Sequence, residues 1–154
     1  MEYVIFTMEG KEFGVPVTQV REVLKLPQGR SSINPLPQAP DFIEGVITLR
    51  RHTIAVIDLK KRFKFPTKTP LTPCPHVMVV RLDPMILGLL VDQVTAILEI
   101  TLSQIDSTSR VVNGYLEGKA VTGIAHEGER VIILLDLQQI LKPQEHEALD
   151  DVRG

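Results

Sequence analysis

Residues 13–26, FGVPVTQVREVLKL, and residues 87–100, LGLLVDQVTAILEI, align without a gap. Gly14 falls on Gly88, Val17 on Val91, Gln19 on Gln93, Val20 on Val94 and Leu24 on Leu98, a constant shift of 74 positions (14 to 88). A second pair follows in the same order: GVITLRRHTIAVIDLKKRF (residues 45–63) aligns on GIAHEGERVIILLDLQQIL (residues 123–141). Gly45, Ile54, Asp58 and Leu59 there meet Gly123, Ile132, Asp136 and Leu137, a shift of 78 (45 to 123). The chain is an internal duplication, and each copy is one folding unit with its own apolar set. Two copies are too few for a solenoid, which needs about three or more to bury its faces. Two sister subdomains packed on each other are expected.

Working outward, each copy opens with a β-hairpin. Tyr3 to Met8 is apolar on both faces apart from Thr7, turns at Glu9-Gly10-Lys11 and returns through Glu12 to Val15. In the second copy His76 to Leu82 turns at Asp83-Pro84 and returns through Ile86 to Val91. Short β-branched runs bounded by turn residues read as strands. Gly14 and Gly88, inside the return strands, predict a bulge or a barrel-corner bend. A helical turn and then a strand follow, over Val20–Leu26 and Val94–Ile100. The proline-punctuated stretch Pro27–Pro40 reads as an ordered loop ending in a helical turn at Asp41–Glu44. Strands are predicted at Gly45–Leu49, Thr53–Leu59, Ala120–Ala125 and Arg130–Leu137, with short helices at Ser103–Ser107, capped by Ser103, and around Leu137–Leu141. Short strands at regular spacing argue for small closed barrels, which also remove exposed Val- and Ile-rich edges. The expected organisation is one domain over residues 1–142, with subdomain one about 1–65, a proline-rich linker 66–75 and subdomain two about 76–142. Strand exchange between subdomains is expected from the shortness of that linker, and residues 143–154 read as a polar tail.

Composition narrows the function classes. The 154 residues are 44% hydrophobic and 23% charged, as in globular proteins. No apolar stretch of about 18 residues is present, so direct membrane insertion is not expected. The N-terminus MEYVIFTMEG lacks the basic residues of a signal peptide, and a lone Cys74 suits a reducing cytoplasm. A net charge of −2 gives no global pull toward nucleic acid.

Little points to catalysis. Asp58 and Asp136 sit one per copy, as in an aspartic-protease dyad, but lack a Gly- and Ser/Thr-rich turn; they read as carboxylates capping backbone N–H groups. His52, His76, His126 and His146 show no metal-ligand spacing, and no cofactor is expected. Cys74, between two prolines, reads as a loop cysteine rather than half of a thiol–imidazole pair with His76. Arg50-Arg51-His52 and Lys60, Lys61, Arg62 and Lys64 form two separated basic clusters at opposite ends of a predicted strand. That makes a poor nucleic-acid footprint, and the Lys60–Lys64 cluster reads as a solvated face. Arg50, beside apolar neighbours at a hairpin tip, reads as an interface arginine.

PQAPDFIEGVITLRRHTIAVIDL (residues 37–59) resembles the signature of the CheW-like chemotaxis coupling family. That signature runs Pro-Asn-x-Pro-x-Phe-Ile-x-Gly-Val-x-Asn-Leu-Arg-Gly and ends in Asp-Leu. EFGVPVTQVREVLKL, LGLLVDQVTAILEI and RVIILLDLQQIL resemble the remaining segments in order, covering about residues 2–142. The resemblance implies a mainly β fold of two five-stranded, Src-homology-3-like barrels with a few short helices. It implies a non-catalytic adaptor joining the tips of methyl-accepting chemoreceptors to the regulatory domain of the histidine kinase CheA. Such a protein would be cytoplasmic and recruited to receptor arrays. The implied coupling positions are Val20, Glu22 and Arg50, with Arg51 beside them at the tip. The alternative from another class is a small nucleic-acid-binding barrel. Three residues depart from the pattern: Arg51 stands where the family has glycine, Ala55 where it has proline, and Thr48 where it has asparagine. A few extra residues lie between Tyr115 and Gly123. A side chain at position 51 is expected to cost the tip its positive-φ residue.

Overall fold

In a computed structural model, residues 1–26, 28–63, 72–82, 84–106 and 120–139 are described. Most of the linker, Asp83, Ser107, the extra residues preceding Ala120, the end of the last predicted helix and the tail fall outside them. Eleven strands run in chain order: β1 (Glu2–Met8), β2 (Lys11–Pro16), β3 (Val20–Lys25), β4 (Ile43–Leu49), β5 (His52–Asp58), β6 (His76–Leu82), β7 (Met85–Val91), β8 (Gln93–Glu99), β9 (Ile105–Asp106), β10 (Val121–Glu127) and β11 (Arg130–Leu135). One α-helical turn, α1 (Leu59–Arg62), follows β5.

The strands form two sheets, ordered β8-β1-β2-β11-β10-β9 and β3-β6-β7-β5-β4. Under the sequence duplication the second order maps strand for strand onto the first five of the other, which is the mainly β, twin-barrel arrangement. The copies do not each own a sheet. Hairpin β1–β2 of the first copy joins the strands of the second, and hairpin β6–β7 of the second joins β3, β4 and β5.

Registers repeat with the sequence. Parallel strands place Leu134 opposite Gly14 and Val56 opposite Gly88. Leu26 N–H donates to Pro75 C=O and Ile100 N–H to Met1 C=O, the same bond twice. Asp58 N–H to Phe42 C=O and Asp136 N–H to Ala120 C=O are another such pair. Gly14 and Gly88 pair in register without a bulge. They are small because the neighbouring strand crowds them: a Cβ on Gly88 would lie 2.6 Å from Val77 Cγ1. The bulges sit instead where the ladder skips Arg21 and Thr95, and again Glu44 and Thr122, both pairs related by the duplication. Beside the latter, Gly45 (φ +151°) lets Asn34 bridge to Val46, where a Cβ would sit 2.1 Å from Asn34 O.

Both exchanged hairpins are buried on two faces. Val4, Phe6 and Met8 of β1 and Met78, Val80 and Leu82 of β6 meet in one large core between the sheets. Their alternate residues point away from it: Ile5 into a core under β10 and β11, Val77 and Val79 into one under β4 and β5. Phe6 stacks on Phe13 within the shared core, ring centroids 5.7 Å apart. This explains why these strands read as continuous apolar runs.

Local chemistry at the strand ends follows the capping expectation. Asp58 Oδ1 accepts from the N–H groups of Lys60 (2.9 Å) and Lys61 (3.4 Å), and Asp136 Oδ1 from that of Gln138 (2.9 Å). Other local expectations change. The turn before β3 is 3₁₀ (Val17–Gln19), but the second copy bends at Asp92 without a helical turn. Asp92 is committed elsewhere: its N–H donates to Thr7 O and its carboxylate accepts from Glu9 N–H. β4 begins at Ile43, so no helical turn forms at Asp41–Glu44. The short helix near Ser103 is a 3₁₀ turn, Leu102–Gln104, capped by Thr101, whose N–H is satisfied by Gln104 Oε1 at 2.9 Å.

The basic run after β5 is only in part a solvated face: Lys60 and Arg62 are buried, Lys61 is exposed, and Lys64 lies outside the described residues. Lys60 Nζ reaches Asp92 Oδ1 at 2.7 Å and Glu9 Oε1 at 3.1 Å, tying the tip of β1–β2 to the β7–β8 corner. Burial works against the ammonium, yet its hydrogen bonds to Asp92 and Glu9 outweigh that and raise its pKa. His76, also buried, accepts at Nδ1 from Val94 N–H (2.8 Å), so its proton sits on Nε2 and it is not paired with Cys74. Burial, with Lys25 beside it, pushes the imidazole pKa down.

The β4–β5 tip keeps both residues in left-handed backbone, Arg50 at φ +48° and Arg51 at φ +70°. Arginine at position 51 has therefore not cost the turn its positive φ. The twist of the flanking strands demands this two-residue geometry, and the side chain accepts the strain.

Three outcomes follow for folding. Lys60→Ala removes the ammonium shared by two largely buried carboxylates, and urea denaturation should show a loss of about 3 kcal/mol. His76 has a lowered folded pKa, so its contribution is fully present above its unfolded value of about 6.5 and is lost as pH falls through the folded value. Stability measured from pH 7 to pH 5 should fall, and His76→Gln, which keeps an acceptor for Val94 N–H, should remove most of that slope. Arg51→Gly relieves the left-handed strain and should stabilise the fold by about 1 kcal/mol in the same assay.

Candidate functional site

β3 and β8 occupy equivalent edge positions of the two sheets, and a groove of about 480 Å³ runs between them. Val20 and Val23 line one side, Val94, Ala96 and Ile97 the other, with Val4 and Val17 also in the lining. Each strand alternates half-buried and exposed residues. Val23 is 39% exposed and Ile97 58%, the same position in the two copies. Bulge residues Arg21 and Thr95 are equally placed about the groove. The groove thus lies on the local two-fold relation of the duplication.

Arg21 and Glu22 also border a second depression, a cleft of about 670 Å³ at the open end of the β3-β6-β7-β5-β4 sheet. Its apolar lining is Leu49, Ile54, Val79 and Ile86, its cations are Arg21, Arg50 and Arg51, and His52 lies beside them. Arg50 reaches from the hairpin tip to grip Glu22 with two hydrogen bonds, of 2.5 and 3.1 Å. The pair links β3 and the β4–β5 turn, elements from opposite edges of that sheet. The Arg50 guanidinium holds the Glu22 carboxyl below the usual carboxylate range. The Arg50 side chain is nonetheless 72% exposed.

Of the four residues singled out in the sequence, Val20 lies in the groove, Glu22 joins groove and cleft, and Arg50 and Arg51 border the cleft. Glu22 and Arg50 are brought into direct contact across 28 positions of sequence. The sequence reading missed Arg21, Val23 and Ile97. Their signal was present in the period-two alternation along the strands predicted over Val20–Leu26 and Val94–Ile100. The apolar lining, the two-point ion pair and the exposed cations suit recognition of a macromolecule. Among the described residues no three of His, Cys, Asp or Glu group as metal ligands.

The CheW-like domain family model matches residues 2–145. The chain is 29% identical to the chemotaxis protein CheW of Klebsiella aerogenes, over 98% of this chain and 87% of that one. It is 30% identical to the CheW of Rhizobium meliloti, over 96% and 91% of the two chains. The crystal structure of the scaffolding protein TtCheW from Thermoanaerobacter tengcongensis superposes with a TM-score of 0.81 at 30% identity, covering 94% of each chain. With the duplicated twin-sheet fold, these likenesses show that the chain belongs to the CheW-like family of non-catalytic chemotaxis scaffold proteins.

Proposed function

We propose that this protein couples the cytoplasmic tips of methyl-accepting chemoreceptors to the regulatory domain of a CheA-type histidine kinase, working in the cytoplasm at receptor arrays. The observation that carries this reading is the family match over residues 2–145, joined to an exposed apolar groove with the Glu22–Arg50 pair at its mouth. Val20 provides apolar contact within the groove. Arg50 and Arg51 present guanidinium groups at its end, and Glu22 fixes the direction of Arg50. Arginine beside desolvated apolar contacts is the composition of a binding hot spot. No helix of the described residues is long and apolar enough to cross a membrane, so membrane proximity would come from the receptor.

The nucleic-acid reading is not favoured. Lys60 and Arg62 are buried, which removes half of the second basic cluster from the surface. The groove is lined mainly by aliphatic side chains, and none of its described lining residues is an aromatic platform for a base.

Affinity measurement against a receptor signalling tip and, separately, the kinase regulatory domain should find binding to both; binding to neither would refute the coupling role. Arg50→Ala should leave the denaturation midpoint nearly unchanged, as for an exposed ion pair. It should weaken binding of at least one of the two partners about tenfold or more. A collapse of the midpoint with normal affinity in the folded fraction would make Arg50 a structural residue instead.

A further inference from the structure

The duplicated fold provides two equivalent sheet ends, and they have been finished differently. At one sheet end Arg130 spans from β11 to Glu12 of β2 with hydrogen bonds of 2.6 and 3.1 Å, Glu127 ends β10 and Glu129 stands on the adjoining turn. The positions that correspond to Glu12 and Arg130 in the other sheet are Ile86 and His52. No ion pair spans them, and both line the open 670 Å³ cleft. The turn residues that correspond to Gly128 and Glu129 are Arg50 and Arg51.

The charges of this cleft do not balance. Its cations include three arginines, and its one carboxylate, Glu22, is already held by two Arg50 donors. Arg51 makes no ion pair with any described residue, is exposed, and occupies left-handed backbone. In the β1–β2 turn, where Glu9 (φ +52°) and Gly10 (φ +75°) take the places of Arg50 and Arg51, the second left-handed position is glycine; in the β10–β11 turn the left-handed residue is Gly128 (φ +61°), at the place of Arg50. An unpaired arginine held in a conformation that glycine adopts freely marks a position kept for something other than folding. The excess positive charge also stands out on a chain whose net charge is −2.

Cleft and groove are continuous through Arg21 and Glu22, which border both. We infer that the occupant of the groove is a receptor-tip segment whose apolar stripe leads into carboxylates, and that these carboxylates seat against Arg51 and Arg21. This rests on the coupling role proposed above and adds the chemistry of the partner. Arg50, bound to Glu22, aligns the cleft, while Arg51 and Arg21 supply the free charge. A charge at the rim of an interface acts mainly on encounter rate and salt dependence.

The test measures association and dissociation rates of the full chain and its Arg51→Gly, Arg51→Glu and Arg21→Gln variants against a receptor signalling-tip fragment, from about 0.05 to 0.5 M salt. Arg51→Gly removes the charge and relieves strain, so lost binding cannot be blamed on unfolding. The expected result is an association rate several-fold lower for Arg51→Gly and about tenfold or more lower for Arg51→Glu at low salt, with little change in dissociation. The differences should shrink as salt rises. Replacing one tip carboxylate by lysine should restore binding to Arg51→Glu. Wild-type binding with an Arg51→Glu variant indistinguishable at every salt concentration overturns this inference alone. Absence of wild-type binding overturns the coupling role and this inference with it. Displacement of the tip by a single-stranded oligonucleotide, or loss of self-association in Arg51→Glu while tip binding stands, would give the cleft to another occupant and overturn it also.

Discussion

Burial of the β1–β2 and β6–β7 hairpins on both faces is the constraint from which the remaining structure follows. Each hairpin supplies one face to the shared core and the other to the sheet it has joined. A strand with two buried faces cannot slip by one residue without exchanging two well-fitted apolar sets, so the registers are firmly fixed. Their repetition across the copies, down to the paired bulges at Arg21 and Thr95, is a consequence. Where side chains of the flanking strands crowd β7 and β2, a residue without a side chain is needed: Gly88 faces Val77 of β6, and Gly14 faces Leu134 of β11 and Ile5 of β1. Because the hairpins cross between copies, neither half has a complete sheet without the other.

That crossing also generates the surface. With β1 and β6 paired side by side to β8 and β3, the two edge strands are left facing one another across a groove. Symmetry supplies an apolar groove, and divergence between the copies makes the two sheet ends unlike. The Glu12–Arg130 pair spans one sheet end, while at the other Ile86 and His52 line an open cleft and Arg50 is turned toward Glu22. The buried Lys60, held by Glu9 and Asp92, keeps hairpin tip, helix and corner together with charged hydrogen bonds.

Much of this was legible in the sequence, for identifiable reasons. The duplication gave the fold because equal residues at equal spacing must serve equal sites, and Asp58 and Asp136 behaved as strand-end caps in both copies. Arg50 and Glu22 were marked by the family signature, but their contact was not. A hydrogen bond between residues 28 positions apart depends on how the sheet curls. Lys60 was misread because a run of basic residues is usually solvated, and nothing local in LKKRF reveals that Glu9 and Asp92 will arrive from elsewhere in the chain. The β-branched content of β3 and β8 marked them as strands, but their edge pairing with β6 and β1 depends on the assembled sheets.

By itself, then, the sequence determined the repeated unit, its mainly β character, the turn positions and the family. These are written in local pattern: period, punctuation and internal identity. Tertiary structure alone decided which copy each hairpin serves, where the bulges fall, which basic residues are buried and how Glu22, Arg50 and Arg51 gather at one end of a groove. Those features depend on distances between residues far apart in the chain, and such distances are set by the packing of two sheets around a common core rather than by any single segment.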